Sequence, residues 1–401
     1  MTFGDVLGDR EFRSLWVAQL LSVAGDQLAR VAISVLVFNR TGSTLLTGAA
    51  YATTFLPWIV AGPVTAGLAD RLPRRALMIV CDVVRAVTVS AVAIPGMPLW
   101  LMLAILFFGG LFAPPFSAAR AALMPQVFPD EGRYIAASAI GITTDQSAQI
   151  VGFAVGGALV GLVGARTSLV IDGLTFLASA LAVVVGVRSR AAAKIDRPSR
   201  GRSVADLRDG AMLIFRNPRL RKLVMLAWLC GFSIVPEALA VPYVSSRGGG
   251  AAAVGLMLAA SPVGVTVGAV LVGRFFSTST RRRWMLPMAV LSGVPLIACV
   301  AQPGLLITWL LWAISGVFGA YDLAANAEFA LAVPNASRGQ AFGLVVSGMM
   351  VAQGIGLLLA GLLAEFFSPL SVVAVAGVLI VLCAGYLSAV HIPSAPPLTK
   401  A

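Results

Sequence analysis

Between residues 14 and 38 an otherwise apolar run carries Gln19, Ser22, Asp26, Arg30 and Ser34. At 100° per residue these five fall within about 80° of one another, so a helix here has one polar stripe. An Asp or Arg near a bilayer centre costs about 2.5–3.5 kcal/mol on insertion scales, so the stripe must face a cavity or partner helices. Asp26 and Arg30 are spaced i, i+4 and can pair on the helix surface. Two readings stay open: an ion pair that locks this helix, or handling of protons or substrate, for which proton relays use carboxylates with perturbed protonation. Ser138, Gly141, Asp145, Gln149, Gly152 and Gly156 make a second stripe, with Asp145 near its middle. Ser315, Gly319, Asp322 and Asn326 make a third, while Tyr321 points about 100° away from Asp322. Asp82 and Arg85, spaced i, i+3, read as a brace for the charged turn that precedes them. Arg120 and Glu328 read as snorkelling near helix ends, and Asp172 and Glu365 as residues near the opposite ends. His391 sits at the exit of the last apolar run.

The elements that must position these groups are membrane helices. Hydrophobic residues make up 59% of the chain and charged residues 11%, against a charged fraction of roughly 25% in soluble domains. A spanning helix needs about 20 apolar residues, and twelve windows qualify: 14–38, 43–69, 76–97, 99–124, 134–163, 167–187, 222–245, 252–276, 284–302, 304–331, 340–366 and 369–391. The expected fold is therefore an all-α membrane protein of twelve transmembrane helices in two six-helix pseudo-symmetric bundles. The charged residues before the first run, and that run's length, speak against a cleavable signal. Most of the 29 Lys and Arg residues fall in the connections on the side of the N-terminus, with Arg40, Arg166 and Arg247 alone in the opposite connections. That asymmetry places both termini in the cytoplasm and the chain in the cell (inner) membrane. The strongest single signal is Ala66 to Arg75, a turn with Arg71, Arg74 and Arg75 between two apolar runs. Trp16, Trp100 and Trp284 read as anchors at the membrane interface.

A polar segment, 189–221, separates an N-terminal six-helix bundle (1–188) from a C-terminal one (222–401). Its first part reads as flexible and basic, and Val204 to Phe215 as an interfacial helix near anionic lipid. The halves echo each other: Pro125 to Gly157 recurs about 204 residues later, by the spacing of matching turn and glycine positions, as Ala332 to Gly361. Two related six-helix repeats with a site between them form a transporter plan. The chain lacks HExxH, a P-loop, a Ser/His/Asp set and CxxC spacing, and it has one His. These absences argue against an enzyme, a metal or other cofactor, and an ATP-driven pump in this chain alone. The basic residues flank spans rather than a soluble face, which argues against nucleic acid.

The turn Leu68, Ala69, Asp70, Arg71, Arg74 and Arg75 resembles the signature between the second and third helices of the major facilitator superfamily, with Ala66 and Pro73 where that pattern has glycine. Gly109 to Arg120, Leu123 to Pro125 and the Gly25-Asp26 pair are similar to its drug-exporter branch, which includes macrolide-efflux and enterobactin-exporter proteins. Gly152 to Gly157 resembles the antiporter motif of the fifth helix, with Phe153 replacing its proline. The resemblance implies a cavity lined by the first, fourth, seventh and tenth helices, which makes Asp26, Glu237 and Asp322 cavity acids; the polar stripes add Arg30, Asn326, Asp145 and Gln149 as coupling or cavity candidates. It implies a cytoplasmic gate of Asp70, Arg71, Arg74 and Arg75, with Asp70 capping the eleventh helix near Gln340. The expected function is secondary active transport: proton-coupled export of amphipathic or cationic small molecules by alternating access. Import of a small organic solute and movement of lipid or lysolipid between leaflets remain open. The expected partners are a small-molecule substrate, protons and membrane lipids, and the expected state is a monomer.

Overall fold

The computed structural model describes residues 6–61, 72–128, 130–190, 212, 214–333 and 338–389. Twelve helices follow the hydropathy windows closely: α1 Arg10–Thr41, α2 Thr44–Ala61, α3 Arg74–Val92, α4 Leu99–Val127, α5 Glu131–Val163 and α6 Ala165–Gly186, then α7 Pro218–Ser246, α8 Ala251–Phe275, α9 Thr278–Ala301, α10 Leu305–Ala332, α11 Arg338–Leu363 and α12 Pro369–Ala389. Among the described residues eleven helices are long and apolar enough to cross a membrane. The exception, α3, carries Arg74, Arg75, Asp82 and Arg85 within 19 residues, of which Asp82 and Arg85 are buried rather than solvated. Leu162, Leu181, Phe275 and Leu306 belong to a broad exposed apolar belt. On helices of this length such a belt faces hydrocarbon.

Caps define the ends where the chain leaves the helices. The Asp9 carboxylate accepts from the Phe12 N–H at the start of α1, Gly42 closes it in the left-handed region (φ 64°), and Asp130 caps α5 through the Arg133 N–H. These side chains satisfy amide groups that have no partner within their helix. Several spans are broken. In α4 the helix stops at Gly110 and restarts at Ala113 ahead of Pro114 and Pro115, and α7 restarts at Val235 ahead of Pro236. Proline fits the first turn of a helix, where its missing N–H costs nothing, so each restart follows from the sequence. The tenth span breaks at Ala320, between Gly319 and Tyr321.

Within the first six helices α1 packs on α5 and α6, and α3 on α6; within the last six α8 packs on α10 and α9 on α12. The halves meet through α5 against α8 and α2 against α11. Glycine permits both approaches: a Cβ on Gly157 would lie 2.6 Å from the Gly255 Cα, and one on Gly48 would lie 2.8 Å from the Leu357 carbonyl oxygen. Small residues at such crossings let backbones touch. These contacts lie toward the end of the molecule away from the termini. There Thr44 donates to the Gly361 carbonyl, and Glu365 accepts from the Leu45 N–H (2.9 Å) and the Ser43 hydroxyl (2.6 Å).

Glu365 thus closes one half onto the first turn of a helix in the other. The Leu45 N–H and the Ser43 hydroxyl hold its carboxyl below the ordinary glutamate pKa. When the halves part, that pKa returns to its usual value. The latch is therefore at full strength above the usual glutamate value of about 4.3 and weakens as pH falls through the lowered one. Acidification below that range should open this end in the wild type, while Glu365→Gln should remove the pH dependence. The distance between spin labels on α2 and α11 checks both.

Candidate functional site

The first half encloses a cavity of about 290 Å³ lined from α1, α2, α3, α4 and α6. Asp26 and Arg30 project into it from the α1 stripe, together with Gln19 and Ser22. Opposite them stand Thr53, Thr54 and Trp58 of α2, Thr88 of α3, Phe116 of α4 and Phe176 of α6. A carboxylate and guanidinium groups among aromatic rings and hydroxyls suit an amphipathic ligand, because the rings give apolar area and the charges fix its orientation.

The partner of Asp26 is Arg85 of α3, not Arg30 as the i, i+4 spacing predicts. Arg85 also donates to the Ser22 hydroxyl at 3.0 Å, and its guanidinium lies 4.1 Å from the Phe176 ring centroid. It is 6% exposed, so it serves the interior of the first half and does not brace the turn before α3. α1 and α3 face each other across the cavity, and this interhelical contact outweighs the neighbour on the same helix. Arg30 instead lies 4.8 Å from the Phe55 centroid and 5.8 Å from that of Tyr51, both on α2. Such stacking compensates a half-buried cation in part.

Asp172, in the first third of α6, is 1% exposed and buried beside α1. A Cβ on Gly25 would lie 2.2 Å from its Oδ1, so the glycine before Asp26 lets a second acid approach. Asp82 is fully buried, and its Oδ2 lies 2.6 Å from the Ser179 hydroxyl of α6. Arg85, Asp82 and Asp172 are the charged residues of the cluster around Asp26 that sequence reasoning set aside. For Asp172 a signal was present in the sequence, since it adjoins Gly173.

The other predicted residues disperse. Glu237 of α7 accepts from the Tyr51 hydroxyl at 2.5 Å, joining the two halves. Asp145 accepts from Gln19 at 2.8 Å, with Arg120 3.9 Å away, between α1, α4 and α5. Trp16 donates to Thr144 beside it, so it packs against α5, whereas Trp100 and Trp284 are exposed as interfacial anchors are. Gln149 is half-buried one turn further along α5. Asp322 accepts from Asn326 at 2.8 Å on α10, and its Oδ1 is buried without a described partner. Arg74 and Arg75 donate to the Ala122 and Val184 carbonyls of α4 and α6, inside their own half. Asp70 and Arg71 lie outside the described residues, as does His391, and so does most of the interfacial helix expected over Val204 to Phe215. Glu328 does not snorkel free but pairs with Arg219 at 2.8 Å and Arg282 at 3.7 Å. Among the described residues no three His, Cys, Asp or Glu side chains form a group that could hold a metal.

A family model described as Major Facilitator Superfamily matches residues 15–244 and 237–401. The chain is 26% identical over 359 residues to the multidrug efflux pump Tap of Mycolicibacterium fortuitum, covering 87% of this chain and 88% of that one. It is 24% identical over 367 residues to macrolide efflux protein A of Streptococcus pyogenes, covering 88% and 89%. Among solved structures, a bacterial homolog of the human lysosomal transporter Spinster, inward-facing and occupied, superposes with a TM-score of 0.75 at 15% identity over 94% of this chain and 95% of that one.

Proposed function

The chain belongs to the Major Facilitator Superfamily and is a multi-pass membrane transporter, not an enzyme; from that premise we propose that it exports amphipathic or cationic small molecules in exchange for protons. The observation that carries this reading is the Asp26–Arg85 pair at the wall of an aromatic-lined cavity within the membrane-spanning part. An acid held there against one internal cation offers its charge to a second, incoming one. Efflux by the two named relatives, one a multidrug and one a macrolide pump, supports the direction and the class of solute.

In this reading residues 1–188 and 222–401 are two bundles that rock about the site, with 189–221 as a cytoplasmic linker. The surplus of Lys and Arg on the terminal side supports cytoplasmic termini in the cell membrane. The end closed by Gly157, Gly255 and Glu365 is then the outer one, and the conformation is inward-facing. Tyr51 and Glu237 tie the halves above the cavity, and Arg30 lies against the same tyrosine ring. Binding of a cation at Asp26 changes the charge around these groups and so shifts the balance between inward-open and outward-open states. In the outward-open state Asp70, Arg71, Arg74 and Arg75 close the cytoplasmic side. Asp145 with Gln149, and Asp322 with Asn326, are secondary polar sites on this route.

Asp26→Asn tests the reading. In everted vesicles loaded with a proton gradient, tetraphenylphosphonium should release protons through the wild type. The variant should bind the cation at least about tenfold more weakly, since the attraction of two unit charges roughly 6 Å apart, about 3 kcal/mol at an effective dielectric of about 20, is lost. Unchanged binding in the variant would remove Asp26 from the site.

A further inference from the structure

Three carboxylates surround one guanidinium in the first half. Arg85 donates to Asp26, which is partly open to the cavity, while Asp82 and Asp172 are buried and each keeps one oxygen without a described partner. A buried carboxylate that is ionised and unpaired costs several kcal/mol in protein interiors. One guanidinium cannot neutralise three acids. The charged groups acting on Asp82 are Arg85, one turn along α3, and Asp26 on α1, while Asp172 on α6 acts on Arg85. From α4 the charged residue is Arg120, which is engaged with Asp145.

The hydrogen bonds at Ser179 indicate where a proton resides. A serine hydroxyl carries one proton, yet the Ser179 oxygen lies 3.1 Å from the Ala18 carbonyl of α1 and 2.6 Å from Asp82 Oδ2. The carbonyl can only accept. Both contacts are satisfied at once when Ser179 donates to Ala18 and a protonated Asp82 donates to Ser179. At Asp172 the matching contact is longer, 3.3 Å to the Thr175 hydroxyl. Asp172 also borders the cavity, as does Arg85, whereas Asp82 is fully buried and lies outside its lining.

We propose that Asp82 is the resident proton site and that Arg85 exchanges between Asp26 and Asp82, so that a cation bound at Asp26 drives the proton off Asp82. This rests on the exporter reading above and deepens it. The substrate's positive charge takes the place of the guanidinium at Asp26. Arg85 turns to Asp82, whose O–H bond breaks, and the proton passes to water in the cavity. The cluster's net charge is the same before and after: one cation enters as one proton leaves. Proton and substrate thus occupy different carboxylates and are coupled through an arginine held by Phe176 and Ser22.

The test uses the full-length transporter in lipid with tetraphenylphosphonium as the probe. Infrared spectra at neutral pH should show a protonated-carboxyl stretch that shrinks when the probe binds. The part of the stretch that shrinks on binding should be missing in Asp82→Asn and present in Asp172→Asn. Probe affinity of the wild type should rise by about tenfold per pH unit over the range in which one proton is released, and should be flat with pH in Asp82→Asn. A band and a proton release that both survive Asp82→Asn would overturn the assignment to Asp82 while leaving proton-coupled export standing. Binding to the wild type with no proton release and no pH dependence would overturn both. Should Asp82→Asn fail to fold, Ser179→Ala carries the test. Without the accepting hydroxyl the pH at which affinity changes should move downward, and an unmoved profile would overturn the proposal.

Discussion

Arg85→Ala is expected to abolish transport of lipophilic cations and to destabilise the purified protein by about 3–5 kcal/mol, the cost of leaving a buried charge without its partner. The guanidinium is 6% exposed and reaches a carboxylate of α1, a hydroxyl of α1 and a ring of α6. Its loss leaves Asp26, Asp82 and Asp172 facing one another with no cation in their midst. Arg85→Lys should recover much of the stability and little of the transport, because an ammonium restores the charge but not the fork that reaches two acceptors at once. Thermal unfolding in detergent and tetraphenylphosphonium uptake, measured on both variants, check this. An Arg85→Ala protein within about 1 kcal/mol of the wild type, close to a single ordinary hydrogen bond, would show that the cluster does not hold the first half together.

Gly157→Val should trap the transporter away from the conformation described here. The added Cβ would meet Gly255 Cα at 2.6 Å and the Ala251 carbonyl oxygen at 2.7 Å. These are backbone atoms, so no side chain can swing aside and α5 must lift from α8. At about 3 kcal/mol of overpacking, the population with this end closed falls by roughly a hundredfold. Spin labels at Leu162 and Leu256, both exposed near the crossing, should report a longer distance, and transport should fall with it. Wild-type distances with wild-type transport would mean that this crossing is not part of the moving gate.

The helices were legible because a spanning helix announces itself by length and hydropathy. The windows and the observed helices differ at most ends by only a few residues, and the charged α3 was still recognised as a span. The positions of Asp26, Glu237 and Asp322 on α1, α7 and α10 followed from the same windows. What the sequence did not show was who faces whom. Asp26 has Arg30 four residues away, and local spacing favours that pair, yet the rotation of α1 against α3 brings Arg85 to it instead. Rotation between helices depends on side-chain packing along their whole length, and a single sequence carries no direct record of it. Asp172 was set aside for a related reason: depth along a helix says how far a residue lies from the membrane surface, not whether a glycine on the next helix admits it to the core. Pairing across the halves, as of Glu365 with Ser43 or Tyr51 with Glu237, depends on a conformational state that composition does not encode.

The most direct test of the central claim is an imposed-gradient experiment on proteoliposomes of known protein orientation. With the cytoplasmic face of the protein on the inside and tetraphenylphosphonium at equal concentration on both sides, a pH gradient acid outside should drive the cation out and build up a concentration difference against it. Reversing the gradient should reverse the flow, and each cation moved should be matched by a proton moved the opposite way. Cation flux that follows its own gradient alone, unaffected by the pH difference in either direction, would contradict proton-coupled export.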